Sequence, residues 1–173
     1  MYLPLTLQQQ RLTLARLSAR QRLVTGTLIG WEEGQGVVRL GKGYHSLKAG
    51  DLLWLPADTL FALGAGSDSA FSQLWVSARL PWALPNRAGL ISDPWLLDTL
   101  KRAGQANQQQ SALLLSALAG ELAKARTQPL AKALDWPVTS GPLADLPLIE
   151  AGRQGQHQQQ RDIDPRPLAL TPA

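Results

Sequence analysis

Residues that could carry out acid–base, metal or nucleophilic chemistry are scarce in this 173-residue chain. It contains two histidines and no cysteine, which excludes thiolate catalysis and cysteine metal sites. His45 has no acidic or histidine partner close to it in the sequence, and His157 lies in a glutamine-rich tail. Glu32 and Glu33 are adjacent, so in a strand their side chains point to opposite faces and cannot form a catalytic pair. No Gly-x-Ser-x-Gly motif is present either, so we predict a protein that is not an enzyme and needs no cofactor.

Aromatic side chains are stronger candidates for a binding site. The chain has six tryptophans against two tyrosines and two phenylalanines. Four aromatic residues fall in or beside predicted strands and could line an apolar ligand pocket, namely Trp31, Trp54, Phe61 and Trp75. Strand alternation places Leu52 and Trp54 on one face and their neighbours in the chain on the other, but it leaves open which face points inward. Trp54 and Trp75 as fillers of a hydrophobic core are therefore the alternative interpretation.

Composition predicts a soluble globular protein of the cytoplasm. Hydrophobic residues make up 45% of the chain, a share typical of globular proteins. The net charge is +4, but the arginines and lysines are scattered and do not form the basic stripe of a nucleic-acid-binding surface. Residues 1–10 do not resemble a signal peptide, and no apolar segment approaches the roughly 18 residues that span a bilayer. Because there is no cysteine to form disulfides, a cytoplasmic location is expected, with no membrane partner.

These residues must be positioned by a mainly β domain. Short apolar runs alternate with glycine-rich turns about every ten residues in the first half of the chain, which predicts a sandwich or barrel. Leu12 and Leu14 alternate with polar residues as in a half-buried strand, and Gly34 and Gly36 are expected to supply positive φ angles to a hairpin. Further strands are predicted at residues 23–31, 37–40, 44–47, 51–55, 59–63 and 71–78.

Two helices are predicted after the strands. Asp93 is a capping residue and Pro94 suits the first turn, so a helix should begin there and run to about residue 103. A longer helix at about residues 109–126 carries an apolar stripe, and Pro129 ends it. The stripe is too wide to be buried fully on the barrel, which predicts a homodimer through Leu114, Leu115, Leu118 and Leu122. Packing of both helices on their own barrel is the alternative.

Three regions follow from these patterns. Residues 1–80 are predicted to form the barrel, and residues 81–137 to form a linker and the two-helix dimerisation segment. Residues 138–173 are rich in proline, glycine and glutamine and have little power to form a core. We expect this tail to be partly ordered or disordered.

The segment from Gly50 to Phe61 resembles the second sequence motif of cupins, in which two glycines, a proline and a metal-binding histidine have a fixed spacing. Gly50 and Pro56 match in place, Asp58 stands at the second glycine, and Phe61 stands at the histidine. Where the first motif would supply its remaining ligands, residues 21–29 contain neither histidine nor glutamate. The resemblance implies a degenerate cupin barrel (a double-stranded β-helix or jelly roll) without a metal.

Residues 21–137 as a whole resemble the N-terminal half of AraC-type transcription regulators. The resemblance rests on the run at residues 26–31 before a Gly-x-Gly turn, the Gly-Asp-Leu-Leu-x-Leu-Pro segment at 50–56, and the elements at 71–78, 91–97 and 111–126. It implies a small-molecule effector in the barrel and pairing of subunits through the second helix. DNA binding would occur only through a helix-turn-helix half. This chain is expected either to lack that half or to contain a truncated start of it in its tail. A stand-alone small-molecule-binding cupin without a role on DNA is the alternative function.

Overall fold

Ten strands and three helices make up the part of the chain that the computed structural model describes, which is residues 5–81 and 83–159, with side chains as far as residue 152. No helix within these ranges is long and apolar enough to cross a membrane. The strands are β1 (Leu5–Leu12), β2 (Arg16–Leu17), β3 (Gln21–Arg22), β4 (Gly26–Glu33), β5 (Gln35–Leu40), β6 (Gly43–Lys48), β7 (Leu52–Leu55), β8 (Leu60–Ala65), β9 (Ser69–Val76) and β10 (Gly89–Leu90). The helices are α1 (Pro94–Gln105), α2 (Gln108–Leu122) and α3 (Leu146–Gln159).

The strands form two antiparallel sheets with an apolar cluster between them. Sheet A has the order β1-β9-β4-β7-β10, and sheet B has the order β2-β8-β5-β6, with β3 also paired to β8. The cluster draws on alternate residues of both sheets, and we call the space that it fills the barrel interior. Its buried members are Leu12, Ile29, Trp31, Val38, Leu47, Leu53, Leu55, Phe61, Leu63, Ala65 and Phe71.

Helices α1 and α2 cover the outer face of sheet A. Helix α1 begins where the sequence predicts, because the Asp93 carboxylate accepts hydrogen bonds from the backbone N–H groups of Trp95 and Leu96. Asn107 caps α2 in the same way. The buried residues shared by the helices and the outer face of the sheet are Leu28, Leu52, Trp54, Leu74, Val76, Ile91, Leu96, Leu100, Ala103, Leu115, Leu118 and Leu122.

Part of the predicted tail packs on the outer face of sheet B. Leu143 and Leu146 are buried there in a cluster with Leu17, Val37 and Tyr44. The expectation that this segment has little core-forming power is therefore corrected for residues 138–152. Helix α3 was missed because glutamine, glycine and proline outnumber the few apolar residues that hold it against the sheet.

Residues 128–134 tie the free edges of the two sheets together. Gln128 exchanges backbone hydrogen bonds of 2.7 and 2.9 Å with Leu90 in β10, the edge strand of sheet A. The Leu134 amide donates a 2.7 Å hydrogen bond to the carbonyl oxygen of Tyr44 in β6, the edge strand of sheet B. Leu130 packs on the interior cluster. One side of the barrel is closed by this segment.

Three local predictions have different outcomes. Residues 5–12 form one strand in continuous register with β9, whereas the sequence interpretation began the first strand near Leu12. Gly34 has a positive φ of 74°, as expected, but Gly36 does not and lies within β5. Asp58 has a φ of 66°, so it adopts the left-handed conformation for which the cupin motif uses a glycine.

Candidate ligand-binding site in the barrel

The four aromatic candidates do not line one pocket. Trp31 and Phe61 belong to the barrel interior, whereas Trp54 belongs to the cluster between sheet A and the helices. The alternation along β7 produces this division, because Leu53 and Leu55 face the interior while Trp54 faces outward. The predicted set is therefore split between the two sides of sheet A.

Trp54 is a core residue, as the alternative interpretation held. Its indole Nε1 donates a 2.8 Å hydrogen bond to the carbonyl oxygen of Pro85, so its polar atom is satisfied. The ring lies directly over Gly26 in the neighbouring strand, where any Cβ would collide with it. These contacts fill the space under the helices and leave no role for Trp54 in a ligand site of the interior.

Trp31 crosses the barrel interior from sheet A to sheet B. Its ring stacks on Phe71, with the ring centroids 4.7 Å apart and the planes 7° from parallel. A Cβ built on Gly36 of sheet B would lie 2.8 Å from Cζ3 of this ring and closer still to its neighbouring atoms. Trp31 is fully buried. Because Gly36 has no Cβ, it leaves room for the Trp31 ring. A glycine is therefore needed at this position although its φ is not positive.

A strip of neutral polar side chains lies beside Trp31 on the interior face of sheet A. The continuous register of β1 on β9 puts alternate residues of β1 on the same face as Leu12, which is part of the interior cluster. Within the strip, Nε2 of Gln73 donates a 3.1 Å hydrogen bond to the hydroxyl of Thr27. Half-buried Trp75 pairs with residues of β1 and β4 at one end of the strip. The polar strip consists of Thr6, Gln8, Gln10, Thr27 and Gln73.

Three buried polar atoms of this region have no hydrogen-bond partner. They are Oε1 of Gln8, Nε2 of Gln10 and Nε1 of Trp31. A buried polar group without a partner costs about 1–3 kcal/mol, and most native proteins contain few of them. Arg39 Nε is also unpartnered, but Arg39 lies under the ring of Tyr44 on the outer face of sheet B. The interior of sheet A therefore concentrates unused hydrogen-bonding capacity around Trp31.

The interior has no charged lining among the residues that the structure describes. The buried polar side chains there are glutamines, serines and threonines, and none of the buried residues is acidic or basic. The Nδ1–H group of His45 donates a 2.7 Å hydrogen bond to the carbonyl oxygen of Ala131. Within the described ranges, no group of three histidine, aspartate or glutamate residues is arranged to hold a metal ion. Phe61, at the position of the cupin histidine, instead packs in the apolar interior.

Sequence reasoning missed Gln8, Gln10 and Gln73. The sequence does contain a pattern that places the first two on one face of a strand. Thr6, Gln8 and Gln10 alternate with residues of the opposite face, in a strand that ends at Leu12. The alternation was overlooked because a polar period of two normally marks a solvent-facing surface. Here the polar residues face the interior, and Leu5 and Leu7 face the helices.

The apolar stripe of α2 serves the core of its own chain. Leu118 and Leu122 are fully buried, Leu115 is nearly so, and Leu114 packs at the edge of the same cluster. Leu115, Leu118 and Leu122 therefore pack within their own chain, as the alternative interpretation has it, and pairing with a second copy stays a prediction for half-buried Leu114. The surface that α2 leaves open includes Leu113, which is 69% exposed.

A second surface joins the C-terminal segment to sheet B. The Tyr44 hydroxyl donates to the Glu150 carboxylate, with oxygen–oxygen distances of 2.6 and 2.8 Å, and the Tyr44 ring stacks on Trp136 at a centroid distance of 3.8 Å. Burial, followed by the hydrogen bond and the charge of Glu150, raises the pKa of Tyr44 to about 12. This contact fixes the start of α3 and is separate from the polar strip.

Several solved structures resemble part of the chain. Solved structures that resemble the chain include a cupin superfamily protein from Desulfitobacterium hafniense (14% identity, 44% of this chain and 71% of that one, TM-score 0.42). A second is KdgF from Halomonas sp. (18% identity, 46% of this chain and 74% of that one, TM-score 0.41). A third is a salicylate 1,2-dioxygenase from Pseudaminobacter salicylatoxidans (22% identity, 42% of this chain and 21% of that one, TM-score 0.40). No curated protein compared with the chain matches it.

The family assignment rests on a sequence model that spans most of the chain. Residues 7–134 match the model of the AraC-like ligand-binding domain. Two antiparallel sheets around an apolar interior, followed by helices, confirm the predicted cupin barrel with appended helices. The chain belongs to the AraC-like ligand-binding domain family.

Proposed function

We propose that this chain is the effector-sensing and dimerisation module of an AraC-type transcription regulator, and that it binds a small molecule in its metal-free barrel. The observation that carries the proposal is the set of unpartnered polar atoms on Gln8, Gln10 and Trp31. Folding leaves these atoms without hydrogen-bond partners, which costs free energy. A bound molecule that hydrogen-bonds to them would recover that free energy and so stabilise the folded chain. Action on DNA would require the helix-turn-helix half that such regulators carry.

A binding role fits the interior better than a catalytic one. The polar groups of the strip are amides and hydroxyls, which donate and accept hydrogen bonds but do not ionise near neutral pH. Such a lining can recognise a molecule without transforming it.

The polar strip is well placed to influence the helices. In β1, Gln8 and Gln10 face the interior while Gln9 between them faces outward and contacts Gly104 near the end of α1. In β4, Gly30 faces outward against Leu97 and Leu100 of the same helix. A ligand that moves β1 or β4 by a small amount would therefore shift α1 and α2, which is how we propose that binding is transmitted.

The proposed dimer uses the exposed face of α2. Leu113 is 69% and Trp95 is 47% exposed. A groove beside Trp95 is lined by four small residues and one charged pair, namely Ser116, Ala117, Gly120 and Ala123 with Glu121 and Lys124. A second copy would present the same surface in a two-fold arrangement, so one copy's Trp95 can enter the other's groove. This face replaces the buried leucines as the proposed interface.

Ligand binding is tested by thermal unfolding of the whole chain against a panel of small metabolites. We expect at least one compound to raise Tm in a saturable way, and the variant Gln10→Met to lose that response. The free variant should be at least as stable as the parent, because the substitution removes an unpartnered buried amide. Failure of every compound to stabilise the parent chain would reject the sensor.

Dimerisation is tested by light scattering of the variant Leu113→Asp. Leu148→Asp is the matched control, because Leu148 is a comparably exposed leucine (73%) on α3 rather than α2. We expect the parent and the Leu148→Asp chain to be dimers and the Leu113→Asp chain to be a monomer. Three monomers would favour a stand-alone small-molecule-binding cupin instead.

A further inference from the structure

We propose that the ligand of the barrel is an uncharged small molecule that carries a hydrogen-bond acceptor beside a donor, as a primary amide or a vicinal diol does. The inference rests on the proposed function and adds the chemical class of the effector. It is drawn from the free hydrogen-bonding atoms of the interior and from the distribution of charge around them.

The free atoms define a complementary pattern. Nε2 of Gln10 and Nε1 of Trp31 are donors without acceptors, and Oε1 of Gln8 is an acceptor without a donor. Gln10 and Trp31 are 8% and 0% exposed, so bulk water does not satisfy these atoms. A ligand that satisfies all three atoms must offer an acceptor to the two donors and an N–H or O–H group to Gln8.

The charge distribution excludes ionised ligands. No buried side chain of the described residues is acidic or basic, so a carboxylate or an ammonium group would be buried beside Trp31 without a counter-charge. Burying an unpaired charge costs much more than burying a neutral group that is fully hydrogen-bonded. Arg11 of β1 and Glu33 of β4 form an ion pair on the exposed surface. Their charges neutralise each other there and are not directed into the interior.

Size and apolar contact add a second requirement. The stacked rings of Trp31 and Phe71 lie beside one end of the polar strip, and half-buried Trp75 lies at the other end. The carbon atoms of the ligand would lie against these rings while its polar edge faces the glutamines. A compact molecule with one polar edge and one apolar face meets both conditions.

The test uses small probes with matched shape and different charge. Acetamide and ethylene glycol are the neutral probes, and acetate and methylammonium are the charged ones. Each is titrated at millimolar concentration into the ¹⁵N-labelled 173-residue chain while the indole N–H signals of the tryptophans are recorded. The Trp31 signal is identified by its loss in the variant Trp31→Phe, and the indole of Trp136, which stacks on Tyr44 on the outer face of sheet B, serves as the internal control.

We expect the neutral probes to shift the Trp31 signal in a saturable way, at concentrations at least tenfold below those needed for acetate or methylammonium. The Trp136 signal should not move. The double variant Gln8→Met, Gln10→Met should weaken the response about tenfold or more. Equal or stronger binding of a charged probe at Trp31, or no response to either neutral probe, would overturn the inference.

The outcome is distinguishable from failure of the proposed function. A charged metabolite that stabilises the chain and binds at Gln10 would overturn the ligand class but leave the sensor in place. Absence of any stabilising compound would instead reject the sensor itself.

Discussion

The close fit of Trp31 over Gly36 makes Gly36→Ala the most informative single substitution in the barrel. The new Cβ would lie 2.8 Å from Cζ3 of Trp31 and closer to two other ring atoms, distances that a real contact does not tolerate. Trp31 cannot move away easily, because it is fully buried and its ring is stacked on Phe71. The strain must therefore be taken up by the strands on both sides of the interior.

Overpacking of this kind costs about 1–3 kcal/mol, and the rigid ring places Gly36→Ala near the upper end, at about 2–3 kcal/mol. For a domain of this size, each kcal/mol lowers Tm by roughly 2–4 °C. The matched control is Gly152→Ala in α3, where a Cβ would have no neighbour within 4 Å. Alanine is the better helix former by about 1 kcal/mol, so the control should be unchanged or more stable.

The assay is guanidinium unfolding followed by tryptophan fluorescence, with near-ultraviolet circular dichroism as a report on the Trp31 environment. We expect a loss of stability and a changed tryptophan signal for Gly36→Ala only. A Gly36→Ala chain within about 0.5 kcal/mol of the parent would refute the placement of Trp31 across the interior.

Two further predictions concern the outer faces of the barrel. Leu118→Ala should cost about 2–5 kcal/mol in the free energy of unfolding, since Leu118 is fully buried against sheet A. Leu148→Ala, at an exposed leucine of α3, should change it by less than about 0.5 kcal/mol, and equal losses in guanidinium unfolding would contradict this assignment of the two leucines. Because the pKa of Tyr44 is raised in the folded state to about 12 from an ordinary value of 10, its contribution to stability is complete below pH 10 and is lost as the pH rises through 12. The unfolding free energies of the parent and of Tyr44→Phe should therefore converge over that interval, and parallel curves would show that folding does not raise the pKa of Tyr44.

Local sequence signals predicted much of the framework. The Asp93–Pro94 pair fixed the start of α1, and the alternation from Leu52 to Leu55 divided that strand correctly between two faces. Asp58 adopts the left-handed conformation expected of it. These features depend on short-range geometry, which neighbouring residues specify.

The faces could not be assigned because both sides of sheet A are covered. An ordinary two-layer sheet has one polar face, which identifies the other as the core. Here Trp54 packs under the helices and Trp31 packs in the barrel, so each face of the sheet carries a large buried aromatic residue. Polar Gln8 and Gln10 face inward, against the usual pattern, and the sequence alone gives no reason to choose between these arrangements.

The stripe of α2 was assigned to a dimer for a related reason. A broad apolar face predicts burial but not the partner that buries it. The outer face of sheet A supplies enough apolar surface, through Leu28 and Leu74 among others, to bury Leu118 and Leu122 within one chain. The extent of that surface depends on pairing between strands distant in the sequence, which periodicity does not reveal.

The most direct test of the effector site is a crystal structure of the chain with a compound that stabilises it in the thermal assay. We predict that the compound lies in the barrel interior, within hydrogen-bonding distance of Gln8, Gln10 and the Trp31 indole. A compound bound outside the barrel, for example in the groove where Gln9 and Leu115 meet between β1 and the helices, would contradict the account.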